Sequence, residues 1–351
     1  MNNYKQIVEK LWKTHSLELD EYKFLIDSKC DELISILREK AVVLRKEYYS
    51  NEVYIRGLIE ISNICKNDCY YCGIRRSNTD CIRYRLDIDD IFECVREGYS
   101  LGFRTFVLQG GEDAYYTDEL LEKIIKEIKN KYTDVAVTLS LGERSKESYK
   151  RLFDAGADRY LLRHETANVE HYKKLHPESM SFENRMRCLR DLKEIGYQVG
   201  AGFMVGSPYQ TSLDLAKDLK FIEEFKPDMC GIGPYIVHKN TPFKNFISGD
   251  VDLTCMLLST IRIIHPAVLL PATTALGSLD EKGREKGILS GANVIMPNLS
   301  PKSVRSKYEL YENKASSGLE AAENKKDIEN RLEKIGYKIV ISRGDIRKDG
   351  K

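Results

Sequence analysis

Val53-Tyr54-Ile55-Arg56-Gly57-Leu58-Ile59-Glu60-Ile61 is an apolar, β-branched run that feeds directly into Ser62-Asn63-Ile64-Cys65-Lys66-Asn67-Asp68-Cys69-Tyr70-Tyr71-Cys72-Gly73. The first part reads as a strand, and the second places three cysteines at C-x3-C-x2-C in the loop that follows it. With nine cysteines in 351 residues, that spacing is expected about 0.006 times by chance, so it is a built feature.

Outward from this strand the pattern repeats. Further β-branched or apolar runs lie at 105–109, 135–140, 159–164, 198–205, 229–235, 268–272 and 293–296, making eight with 53–61. Amphipathic segments at 118–132, 146–155, 182–195, 212–225, 253–264 and 280–289 alternate with them, several ending near glycine. Strand and helix in alternation predict a parallel sheet, and a count of eight predicts an α/β fold of the closed (β/α)8 TIM type. The helical residues 1–50 read as an N-terminal cap, 51–310 as the barrel, and 311–351 as a C-terminal extension with one helix and one strand near 327–343 packed on the barrel. In such a barrel the chemistry sits in loops at the carboxyl ends of the strands, where the cysteine loop falls.

Composition narrows the function classes. Lys+Arg 55 against Asp+Glu 54 gives a net charge of +1, which leaves no basic excess for a nucleic-acid partner. No stretch approaches the roughly 18 uncharged apolar residues of a membrane span, and the N-terminus lacks an apolar signal core. The expectation is a soluble cytoplasmic protein with neither a membrane nor a nucleic acid as partner. In a reducing compartment, clustered cysteines bind metal or do chemistry.

Structural zinc takes four ligands, and so does a ferredoxin-type cluster. Cys81 is nine residues beyond Cys72 in a different spacing, and a zinc site that recruits it is the alternative. A [4Fe–4S] cluster held by Cys65, Cys69 and Cys72 alone leaves one iron open to a non-protein ligand. That is the logic of an enzyme in which the open iron chelates S-adenosylmethionine (SAM) and the reduced cluster passes one electron to its sulfonium, releasing methionine and a 5′-deoxyadenosyl radical.

The three cysteines, with Tyr71 before the last, resemble the radical SAM signature, and Gly110-Gly111-Glu112 resembles that family's turn for the SAM amino group. Stretches 107–113, 138–143, 158–166, 182–185, 200–206, 231–234, 271–275 and 291–297 resemble the HydE family of [FeFe]-hydrogenase maturases, so the likeness covers most of 50–310. It implies action of the deoxyadenosyl radical on the sulfur of a cysteine-bound Fe(CO)2(CN) precursor during assembly of the H-cluster di-iron subsite. Implied partners are the maturases HydG and HydF and an electron donor such as ferredoxin or flavodoxin. Some HydE proteins carry a second cysteine cluster after a Tyr-x-x-Tyr segment; here Tyr308-Glu309-Leu310-Tyr311 is followed by no cysteine, so no C-terminal second cluster is expected. Two other readings stay open: a mutase like the methylornithine synthase PylB that rearranges an amino acid, and a non-catalytic iron–sulfur scaffold or carrier.

Strand-end residues make physical sense beside the resemblance. Arg163 and Glu165 share a strand face by period two, placing a cation and a carboxylate together. Glu165 suits the SAM ribose hydroxyls and Arg163 an anionic substrate; the alternative is an ion pair that merely closes the barrel top. Resemblance assigns Arg185 to the SAM carboxylate, against a solvated arginine in a charged helix. Thr138 with Ser140, and Gln109 at the end of its strand, offer small polar groups to a ligand. Thr273, Thr274 and Ala275 form a hydroxyl-bearing strand end suited to an anion, or a plain helix cap. Arg56, if inward, adds positive charge to the floor of the same cavity; Met204 and Tyr308 resemble family positions near the adenosine and the cavity mouth, with apolar packing as the alternative for Met204. SAM ligands are thus expected at Tyr71, Gly110, Gly111, Glu112, Ser140, Glu165, Arg185 and Met204. Substrate ligands are expected at Arg56, Gln109, Thr138, Arg163, Thr273, Thr274, Ala275 and Tyr308. His164, between Arg163 and Glu165, is expected to face the surrounding helices.

Overall fold

The computed structural model describes residues 3–314 and 322–348. Helices begin where the sequence offers a capping side chain: Asp87, Thr117, Ser145 and Ser181 each accept a hydrogen bond from the backbone three residues on.

Eleven strands are present among the described residues: β1 (Glu52–Ile55), β2 (Gly57–Ser62), β3 (Thr105–Gly110), β4 (Ala136–Ser140), β5 (Arg159–Leu161), β6 (Gln198–Ala201), β7 (Met204–Val205), β8 (Met229–Cys230), β9 (Gly233–Pro234), β10 (Val294–Ile295) and β11 (Lys338–Val340). All pairings between them are parallel, in the orders β2-β3-β4-β5-β6-β8, β10-β1-β11 and β7-β9. Three predicted strands are each broken in two, and 268–272 joins its neighbours through single bridges, Met229 to Leu269 and Pro271 to Val294. Backbone hydrogen bonds carry the ring across these gaps: Cys230 N–H to Leu269 O at 3.0 Å, Ala272 N–H to Val294 O at 2.9 Å, and Leu58 N–H to Pro297 O at 2.9 Å. The result is a TIM-type α/β barrel whose regular ladder covers six strands and whose remainder is looser. One break has a clear cause. Gly202 lies at φ +152°, and a Cβ there would stand 2.0 Å from Gly231 O, so the chain turns where two strands crowd together.

The helices Leu19–Asp27 and Asp31–Tyr49 pack on the outer helices Ser212–Phe225 and Val251–Ile264. Their Leu25, Leu33, Leu37 and Ala41 join the same apolar core as the barrel wall. At the other end, β11 pairs with β1 and the chain then crosses beneath the barrel. There Arg343 O accepts from Thr105 Oγ1 at 2.7 Å and from Arg159 at 2.8 Å. Asp345 ion-pairs Arg159 and accepts from Gln198 at 2.9 Å, and Arg343 reaches Asp158 at 2.8 Å. The C-terminal segment therefore plugs the barrel floor.

This corrects one expectation. Arg56 points inward but downward, its guanidinium 2.7 Å from Met229 Sδ and 3.5 Å from Gly344 O. Burial first, and then the like charge of Arg159, push its pKa well below the usual arginine value. Arg56 belongs to the plugged floor, not to the cavity at the strand ends. No helix among the described residues is long and apolar enough to cross a membrane.

Candidate active site

The carboxyl ends of the strands surround a cavity of about 350 Å³. Cys65, Cys69, Cys72 and Tyr71 enter it from the loop after β2, and Gln109, Gly110, Gly111 and Glu112 from the end of β3. Ser140, Arg163, Glu165, Arg185 and Met204 line the next sector; Thr273, Thr274, Ala275 and Tyr308 complete the wall. The fold thus brings nearly all the sequence-predicted residues together. Thr138 is the second exception after Arg56. It is two residues below Ser140 and in register with the floor residue Arg159, so it is fully buried beneath the lining, its Oγ1 without a hydrogen-bond partner. A wider hollow of about 800 Å³ among the outer helices is rimmed by Lys126, Lys150, Arg151 and their acidic neighbours and holds none of these groups.

The cysteine loop is stapled from several sides. Arg83, which the sequence reading passed over, donates to the carbonyls of Asn63, Ile74, Arg75 and Asn78 at 2.6 to 3.0 Å. Asp68 pairs with Arg75 at 2.6 Å and accepts from Ser77 N–H at 3.0 Å, while Tyr70 N–H donates to Leu175 O. Gly111 is required by contact: a Cβ would stand 2.2 Å from Ile64 O, so only glycine lets the β3 turn lie against the cysteine loop. There Glu112 N–H points to Cys65 Sγ at 3.4 Å, and the Glu112 carboxylate meets Lys66 at 3.1 Å.

Burial pushes all three thiols up, Cys72 to about 12, and the neighbouring thiols add to the rise at Cys69 and Cys72. A free thiolate is therefore disfavoured, and binding metal must release protons. Among the described residues no three His, Cys, Asp or Glu side chains converge as on a single ion, which wants its donors within about 2.3 Å of one point. The three cysteines face a shared space instead, as the corners of a multi-iron cluster require.

Across the cavity, Arg163 Nη2 stands 3.2 Å from Glu165 Oε2, yet neither atom, nor Arg163 Nε, has an aligned hydrogen bond. Glu165 also holds φ at +67°, an uncommon conformation for a residue with a side chain. Strain and unspent polar valences together set this pair apart from a fully satisfied structural ion pair. Arg185 is buried, not solvated. Its Nε donates to Glu143 Oε1 at 2.6 Å and its Nη1 to Arg163 O at 2.6 Å. Burial opposes its charge, but Tyr172, Glu143 and Tyr71 hold its pKa well above the ordinary value.

Several contributors went unassigned in the sequence. Glu143 orients Arg185, accepts from Asn184 at 2.6 Å, and through its N–H binds Glu112 Oε1 at 3.0 Å, tying two strand ends together. His176 lies 3.2 Å from the Tyr71 hydroxyl and stacks on Tyr172 at 3.9 Å; burial, then Arg185, lowers its pKa to about 3, so it is neutral. Glu60 and Lys314 form a buried ion pair in the cavity wall, with Asn298 donating to Glu60 at 3.0 Å. Glu60 had a local signal, a carboxylate inside an apolar strand; Lys314 had none. Gln109 Nε2 reaches the Tyr308 hydroxyl at 3.4 Å, and Thr273 Oγ1 is unpartnered although it sits at a helix start.

A parallel α/β barrel with a cysteine triad and open polar valences at its mouth defines a radical SAM enzyme, and the Radical SAM superfamily profile matches residues 59–222. The chain is 50% identical over 271 residues to the [FeFe] hydrogenase maturase subunit HydE of Thermotoga maritima, a match covering 77% of each chain. It is 27% identical over 291 residues to the 3-methylornithine synthase of Methanosarcina acetivorans, covering 82% of this chain and 81% of that one. The crystal structure of methylornithine synthase (PylB) superposes with a TM-score of 0.84 at 24% identity, over 95% of this chain and 97% of the other, and shows the shared fold. The chain belongs to the HydE family of the radical SAM superfamily. Membership implies a [4Fe–4S] cluster and SAM, and the residues present fit both: three thiols around one space, and orphaned polar atoms on Arg163, Glu165 and Thr273, which line that same cavity.

Proposed function

We propose that the chain is a radical SAM maturase of [FeFe]-hydrogenase, acting on the sulfur of a cysteine-bound Fe(CO)2(CN) precursor during assembly of the H-cluster di-iron subsite. The observation that carries this reading is the cavity that joins the cysteine triad to Arg163, Thr273 and Thr274, in a chain half identical to a HydE maturase.

Cys65, Cys69 and Cys72 hold the cluster, leaving one iron for SAM. When bound, the cluster supplies one electron that cleaves SAM to methionine and a 5′-deoxyadenosyl radical. Glu112 and the Gly110-Gly111 backbone receive the SAM amino group, Arg185 its carboxylate, Glu165 its ribose hydroxyls, and Tyr71, Ser140 and Met204 the adenosyl surroundings. Arg185 enters already charged and aimed, because Glu143 fixes its guanidinium. In the same cavity Arg163, Thr273, Thr274, Ala275, Gln109 and Tyr308 hold an anionic guest. The expected setting is the cytoplasm, with HydG and HydF as fellow maturases and a ferredoxin or flavodoxin as electron donor. No C-terminal second cluster is expected, since the sequence has no cysteine after Cys255.

The test is anaerobic reconstitution. About four irons per chain, 5′-deoxyadenosine released from SAM under a reductant, and activation of hydrogenase apoprotein alongside the other maturases are expected. Iron binding without SAM cleavage would favour a scaffold. The match to 3-methylornithine synthase supports one second reading, an amino-acid mutase; turnover of lysine without hydrogenase activation would establish it instead.

A further inference from the structure

Asp218 lies on the helix Ser212–Phe225, outside the barrel wall and fully buried, and nothing in the site described above uses it. Its Oδ1 accepts the backbone N–H of Ala167 at 2.5 Å and stands 3.3 Å from Nε2 of His164, itself fully buried. One carboxylate oxygen therefore reaches the chain on both sides of Glu165, one residue before it through an imidazole and two residues after it through an amide. His164 Nδ1 in turn accepts the N–H of Gly202 at 3.3 Å, and Gly202 O accepts the N–H of Glu165 at 3.0 Å. The four contacts close a loop around the residue at φ +67°.

A non-glycine residue in that conformation costs about 1–3 kcal/mol and persists only where its surroundings over-determine it. Burying a carboxylate costs more still, and here it is incompletely repaid. Oδ2 has no partner, and the approach of His164 Nε2 to Oδ1 lies off the line of a hydrogen bond. Because Nδ1 accepts from Gly202, the proton sits on Nε2 and the ring faces Asp218 as a neutral donor. Burial acts in the same sense, lowering the His164 pKa and raising that of Asp218. An apolar residue would fill this space more cheaply, so the carboxylate is explained by what it holds.

We propose that Asp218, acting with His164, is a positioning residue that clamps Glu165 in its left-handed conformation and so directs the Glu165 carboxylate into the cavity toward SAM. This rests on the reading of Glu165 as a SAM ligand.

The test is a double-mutant cycle on cluster-loaded protein, reading the SAM dissociation constant by equilibrium dialysis and the SAM-induced change in the electron paramagnetic resonance spectrum of the reduced cluster. Asp218→Ala is expected to weaken SAM binding about tenfold at unchanged iron content. Asp218→Asn, which keeps an oxygen for Ala167 N–H, is expected to restore most of that loss. In a Glu165→Gln background, Asp218→Ala is expected to add less than about twofold, since the group it positions is already disabled. Wild-type affinity in Asp218→Ala, or the same loss in both backgrounds, overturns the clamp while leaving Glu165 as a ligand. Wild-type affinity in Glu165→Gln overturns the ligand reading and the clamp with it. Should Asp218→Ala fail to fold, His164→Asn, which keeps an acceptor for Gly202 N–H and loses the contact to Asp218, carries the same cycle.

Discussion

The two ends of this barrel hold similar side chains in opposite conditions. At the floor, Thr105 and Arg159 are met by the chain's own C-terminal segment, Thr105 donating to Arg343 O and Arg159 pairing with Asp345. At the mouth, Thr273, Arg163 and Glu165 line a cavity, and Thr273 Oγ1, Arg163 Nε and Glu165 Oε2 are buried with no aligned protein partner. Buried polar groups are costly unless satisfied. The floor satisfies most of its own, Arg56 Nε excepted, whereas several buried polar atoms at the mouth lack a protein partner. Chemical type therefore says little about role in this molecule, and the state of satisfaction says much.

The largest expected effect tests the mouth directly. Cys65→Ala, Cys69→Ala and Cys72→Ala should each abolish SAM cleavage and lower iron well below about four per chain, measured by iron analysis after anaerobic reconstitution. Cys94→Ala, a buried core cysteine, should retain its iron. Next comes Arg185→Lys, which keeps the charge but cannot span both Glu143 Oε1 and Arg163 O. SAM affinity should fall about 10- to 100-fold by equilibrium dialysis. Unchanged affinity would show that Arg185 is spent on structure, like the arginines of the floor.

A matched pair of substitutions then compares the two ends with one chemistry. Thr105→Val removes a hydroxyl that donates to Arg343 O at 2.7 Å and accepts from Arg159 at 3.0 Å, so stability should drop by about 1–3 kcal/mol in urea unfolding. Thr273→Val removes a hydroxyl with no partner, so stability should stay within about 0.5 kcal/mol. Hydrogenase activation should show the reverse order, with Thr273→Val the more impaired.

The same contrast explains what the sequence disclosed. The cysteine triad and Gly110-Gly111-Glu112 were legible because their chemistry lies within a few consecutive residues. The eight strands were legible from apolar runs, although Gly202 interrupts one of them in a way those runs do not announce. Arg56 and Thr138 went astray because period two reports the face of a strand and not its height in the barrel. Height is set by inter-strand register, and register aligns Thr138 with the floor residue Arg159. Glu143 was present in a quoted motif, but its grip on Arg185 joins two loops with no spacing rule between them. Lys314 meets Glu60 across 254 positions, and nothing local announces that pair.

A further expected effect belongs to the floor and depends on pH. Burial alone would raise the Asp345 carboxyl; Arg159, Arg343 and Gln198 outweigh it and hold the group down to about 2. An unfolded aspartate takes up its proton near about 3.9. As pH falls, the unfolded chain therefore binds the proton first, and the stability this group contributes is complete above about pH 4 and lost between about 4 and 2. Asp345→Asn removes that titration while keeping the shape. At neutral pH it should unfold at lower urea than the parent, because Arg159 loses its counter-charge. Between about pH 4 and 2 the gap should close as the parent's carboxylate protonates, measured on iron-free chains so that an acid-labile cluster does not contribute. The same variant should bind SAM with parental affinity after reconstitution. A loss of SAM affinity would mean that floor and mouth are coupled through the strands, and that the two ends do not divide structure from function as their hydrogen bonding indicates.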